Sequence, residues 1–160
     1  CALPIWTHPY ETPAYDLFEL KTPSKTYGLG RVGQLKEVLS VDAFVDSLKE
    51  SLGVSGIRYV QPNALKKFVK KVAVVSGAGM DYVKDAAKHG VDVFVTGDIK
   101  YHEARESAHL GMVLIDVGHF ESEVIYKYHL KDVLDTIIKD QEYDVVVETS
   151  TDEAPTFLFA

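Results

Sequence analysis

The chain has 160 residues, 46% of them hydrophobic and 11% aromatic, enough to bury one full core with at most a small appendage. Its 17 basic against 24 acidic residues give a formal net charge of -7, which argues against nucleic acid as the main partner. The single cysteine, Cys1, allows no internal disulfide, and no apolar stretch approaches the ~18 to 20 residues of a membrane span, so a cytoplasmic location without a membrane partner is expected.

The chain opens CALPIWTHPYE, without an initiator methionine, and reads as a cut from a longer protein. In HPYETPAYDLFELKTPSK, residues 8–25, Pro9 and Pro13 exclude a helix and favour extended chain or loop. YGLGRVGQL, 27–35, reads as a strand interrupted by glycines. The stretch 40–53 predicts an amphipathic helix: Ser40 is a suitable N-cap, Val41, Phe44, Val45, Leu48 and Leu52 share one face, and Gly53 closes it. IRYV, 57–60, reads as a further strand.

From Val72 onward short valine-rich runs alternate with helical patterns. The runs are VAVV (72–75), VDVFV (91–95), MVLI (112–115) and DVVV (144–147), each with the character of a buried parallel strand. Helices are expected at 81–89 and 101–110, ending on Gly90 and Gly111, and a third from His119 through about Ile138. The pattern implies an α/β fold: a three-layer domain with a mostly parallel, mixed sheet flanked by helices on both faces.

In such sheets the ligand crevice lies beyond the carboxyl ends of the strands. SGAG (76–79), TGD (96–98) and DVGH (116–119) each follow a strand, so all three are expected on one edge. Ser76, Gly77 and Gly79 are candidates for cofactor or phosphate binding, although Tyr82 stands where a dinucleotide fingerprint has its third glycine; an ordinary strand-to-helix turn is the plainer reading. Asp98 suits either an N-cap or a catalytic role, and His102 either a structural or a catalytic one. His119 and Glu123, four residues apart, share a helix face and present imidazole and carboxylate to one point; that suits a metal half-site, or a solvated pair at a helix start.

VFVTGDIKYHEA (93–104) and IDVGHFESE (115–123) together resemble the C-terminal half of the Nif-three-like family, the type 2 homologues of GTP cyclohydrolase I. SGAG and the terminal ETSTDEAPTFLF stand in that family's order. HPYETPAYDLFEL is similar to the end of the PII/CutA-like domain inserted in longer members, which makes residues 1–25 a remnant of that insertion and linker and 26–160 the C-terminal α/β domain. The resemblance implies a pair of divalent ions (Zn, Mn or Fe), with His119 and Glu123 as the ligands from this half and the remainder from an N-terminal domain. It places Asp98 and His102 at cleft-facing positions suited to orienting a ligand or moving a proton. It further implies a homo-oligomer and metal-assisted hydrolysis of a small molecule such as a purine nucleotide, GTP included. A non-catalytic, metal-dependent binding or regulatory protein is the competing expectation, and the paired histidines of the family's N-terminal domain are absent here; His8 does not match them.

Overall fold

The computed structural model describes residues 28–157; the expected insertion remnant at 1–25 lies outside them. The elements in chain order are β1 (Arg31–Ser40), α1 (Val41–Leu52), β2 (Arg58–Val60), β3 (Phe68–Ala78), α2 (Val83–Lys88), β4 (Val93–Gly97), α3 (Tyr101–Ser107), β5 (Val113–Asp116), α4 (His119–Glu123) and α5 (Tyr126–Asp140). The five strands form one mixed sheet of order β1-β3-β4-β5-β2. The central three are parallel, with Val72 opposite Val93 and Val93 opposite Val113. Antiparallel β1 and β2 close the two sides.

Every residue of β4 is buried, as a central strand covered on both faces requires. Side-chain alternation divides the core: Val93, Val95, Val113 and Ile115 join Val41, Phe44 and Val45 of α1 on one face. Phe94, Met112 and Leu114 join Val83 and Ala86 of α2 on the other, with Ala104 of α3 packed against them. This is the expected three-layer α/β arrangement. The local chemistry of α1 also follows the sequence: Ser40 Oγ accepts from the Ala43 amide at 3.1 Å, and Gly53 takes the left-handed conformation that ends the helix.

Two expectations differ from the structure. The valine run at 144–147 is not a strand; Val146 is 84% exposed and the segment has no regular structure. Valine-rich composition expresses a preference for strand but supplies no ladder partner, and among the described residues no strand pairs with this segment. The long helix expected from His119 is two helices, broken at Val124–Ile125, where the Lys127 amide bonds back three residues to the Val124 carbonyl. Among the described residues, no helix is long and apolar enough to cross a membrane.

Candidate functional site

Parallel register brings the three polar strand ends together, since Ala78 pairs with Gly97 and Thr96 with Asp116. Buried Thr96 fastens the turn after β3 to β4: its Oγ1 accepts from the Gly79 amide at 2.8 Å and donates to the Gly77 carbonyl at 3.0 Å. Gly97 lets β4 end against the start of α4, because a Cβ there would lie 2.7 Å from the His119 nitrogen. The next residue, Asp98, has a φ of 55°, a left-handed conformation that Asp tolerates better than most residues.

That backbone carries the Asp98 carboxylate to His119, where Oδ2 lies 2.7 Å from Nδ1. The N-cap of α3 is Lys100, so Asp98 is spent on the histidine rather than on capping the helix that follows. One turn along α4, Glu123 Oε2 lies 3.3 Å from Nε2 of the same ring. The imidazole thus stands between two carboxylates. The Asp98 hydrogen bond, and with it the charges of Glu123 and Asp98, raise the pKa of His119 above its ordinary value against a smaller opposing effect of burial.

Gly77 forms the floor beneath this pair. Its φ is +64°, and a Cβ at that position would lie 2.5 Å from Glu123 Oε1 and 3.2 Å from His119 Nε2. Its amide donates to Ser122 Oγ at 2.8 Å, and that hydroxyl donates to the His119 carbonyl at the same distance. The amides of Gly77 and Gly79 are therefore both engaged within the protein.

The sequence model of the family described as Duf34/NIF3 (NGG1p interacting factor 3) matches residues 9–155. The chain belongs to the Duf34/NIF3 family. It is 38% identical over 155 residues to a GTP cyclohydrolase 1 type 2 homolog of Halalkalibacterium halodurans, covering 97% of this chain and 41% of the relative. A Listeria innocua protein of the same description is 38% identical over 148 residues, covering 91% of this chain and 39% of that protein. Among solved structures, a Bacillus cereus protein related to NIF3 superposes with a TM-score of 0.80 at 35% identity, over 98% of this chain and 42% of that one. The chain thus spans about two fifths of the curated relatives it matches.

Within this Duf34/NIF3 chain the remaining sequence candidates fall at varying distances from the His119 cluster. Asp98, His119 and Glu123 all line a single cavity of about 930 Å³. Ser76 lines a neighbouring one that shares Glu123. His102 is exposed, stands edge-on to the Tyr101 ring, and lines neither cavity. Among the described residues, no three His, Cys, Asp or Glu side chains converge as a ligand set. The residues present nonetheless fit a divalent ion as a two-ligand half-site. His119 and Glu123 are nitrogen and oxygen donors facing each other, Asp98 occupies the other ring nitrogen, and Gly77 leaves open the space a side chain would fill.

Sequence reasoning missed Arg58 and gave Asp116 no role of its own. They face each other across the β2–β5 ladder. Asp116 is only 6% exposed and accepts from Arg58 Nε at 2.9 Å, Arg58 Nη2 at 2.6 Å, the Ile99 amide at 3.1 Å and the Gly118 amide at 3.0 Å. An aspartate ending a buried strand signals the need for such partners, because an unpaired buried carboxylate is costly.

Proposed function

We propose that this chain supplies one half of a divalent-metal site in a cytoplasmic, homo-oligomeric, metal-dependent hydrolase acting on a small molecule, a purine nucleotide such as GTP being the leading class. The observation that carries the reading is the oriented imidazole: Asp98 holds Nδ1 while Nε2 is turned to Glu123. Carboxylate–histidine pairing of this kind fixes the tautomer and ring orientation that a ligating nitrogen needs. The name GTP cyclohydrolase 1 type 2 homolog, borne by relatives, supports the nucleotide class.

His119 Nε2 and the Glu123 carboxylate would hold the ion, with further ligands supplied by the part of the relatives that this chain does not span. A bound divalent ion supplies Lewis acidity, making water a stronger nucleophile near neutral pH and polarising a substrate heteroatom. The chain's own residues set the conditions. Asp98 keeps a proton on Nδ1 and the ring in place, while Ser122 ties the Gly77 turn to α4 so that the floor and the ligand pair move together. Two protein ligands make a weak site by themselves, so the half-site should fill only at high metal concentration.

Anomalous diffraction on crystals soaked in manganese or zinc tests the reading. A peak about 2.0 to 2.3 Å from both His119 and Glu123 is expected, and it should vanish in Glu123→Gln. Ions bound elsewhere, with this pair empty in a protein that carries the whole family architecture, would overturn it. Incubating that protein with manganese and GTP then separates turnover from stoichiometric binding without product.

A further inference from the structure

We infer that Arg58 is the group through which the cleft takes an anionic portion of its substrate, of the phosphate class. This rests on the hydrolase reading above, which puts a nucleotide in the cavity. The same cavity that holds His119 and Glu123 is also lined by Arg58. Its acidic lining residues are Asp98, Asp116, Glu121, Glu123 and Glu153, so an anion entering it meets repulsion except where a cation can receive it. The lining offers two permanently charged cations, Arg58 and Lys127. Lys127 is engaged by Glu153 at 2.7 Å and by the Ser150 carbonyl at 2.9 Å.

Arg58 is held differently. Its Nε and Nη2 both donate to Asp116 Oδ2, and Nη2 also reaches the Ile99 carbonyl at 3.1 Å. Three contacts therefore lock the plane of the guanidinium, while Nη1 has no hydrogen bond among the described residues and the side chain is 73% exposed. The carboxylate that anchors it shares its charge with two backbone amides, so it does not cancel the arginine alone. A guanidinium fixed in advance loses little conformational entropy on meeting a phosphate oxygen, and the N–H groups of Nη1 are the donors it can present.

The test uses metal-free protein and inorganic pyrophosphate as probe, followed by the Arg58 Nε–H and Gly118 amide NMR signals. Saturable shifts of both are expected in the unaltered chain. Arg58→Gln should weaken the probe at least about tenfold, and Arg58→Lys, which keeps the charge but not the anchored Nη1 donors, should fall between. The exposed Lys88→Gln is the charge-matched control and should leave affinity unchanged. Melting temperature, read on the same variants, identifies a structural role: loss of stability in Arg58→Gln with unchanged affinity overturns the inference, as does an absence of shifts in the unaltered chain. Manganese occupancy of His119 and Glu123 is scored separately. If it fails while pyrophosphate still reports on Arg58, the metal reading falls and anion recognition stands; the reverse pattern sinks only the role of Arg58.

Discussion

The Asp98 carboxylate and His119 Nδ1 stand 2.7 Å apart although they are separated by 21 positions in the chain. The end of one parallel strand thereby controls the ring at the start of the helix after the next. Asparagine keeps both the tolerance of Asp98's left-handed backbone and a hydrogen-bonding side chain, but removes the charge. Asp98→Asn should weaken manganese binding about 10- to 100-fold, measured by electron paramagnetic resonance. An unaltered affinity would mean that Asp98 does not orient the ligand.

The pH response of this pair has a defined sign. The Asp98 hydrogen bond, with Glu123 beside it, raises the pKa of His119. Its contribution to folding stability is therefore fully present below the unfolded imidazole value of about 6.5 and is lost as pH rises through the higher folded value. Metal affinity runs the opposite way, because a proton on Nε2 competes with the ion. Imidazole NMR on metal-free protein should place the His119 midpoint above that of an exposed histidine, and Asp98→Asn should bring it down.

Gly77 and Gly53 form a natural comparison, with φ values of +64° and +65°. Alanine at either position should cost about 1–2 kcal/mol for the left-handed backbone. Only at Gly77 would the new Cβ press on Glu123, since Gly53 has nothing within 4 Å. Chemical denaturation of the two variants should therefore give similar losses, while metal binding disappears in Gly77→Ala alone. Equal metal affinity in both would remove Gly77 as the floor of the site.

Asp92 ties the start of β3 to the loop before β4. It accepts from Lys66 Nζ at 2.6 Å and from the amides of Lys70 and Lys71 at 2.9 and 2.8 Å. Burial pushes its pKa up, but these donors together outweigh it and the net shift is downward. The resulting stabilisation is present above the unfolded carboxylate value of about 3.9 and is lost as pH falls through the lower folded value. Asp92→Asn should cost about 1–3 kcal/mol at pH 7, with the difference from the unaltered chain shrinking in acid.

Much of this architecture could be read from periodicity. Valine-rich runs located β3, β4 and β5 because buried parallel strands need apolar residues on both faces, and Gly90 and Gly111 marked helix ends through their left-handed conformations. The i to i+4 spacing of His119 and Glu123 placed two donors together because α4 makes them neighbours. Arg58 and Asp116 were hidden for the opposite reason: 58 positions separate them, and only the antiparallel register of β2 on β5 makes them partners. The run at 144–147 misled because propensity describes a residue's preference and not whether the chain brings it to a ladder partner. Nor does spacing reveal that Asp98 turns to His119 instead of capping α3; that depends on how tightly Gly97 lets β4 approach α4.

Helix α5 runs for 15 residues without one buried side chain, whereas Val93 and Phe94 in β4 are wholly enclosed. Besides the bonds of Lys127 to Ser150 and Glu153, the helix carries local pairs such as Lys131 with Asp135, and helices of this length are marginal in water on such support. Amide protons in α5 should consequently exchange with deuterated solvent through local opening, long before those of β4, which await global unfolding. The chain thus carries two tiers of protection: a persistent sheet, and a helix that becomes equally durable only when something else shields its apolar stripe.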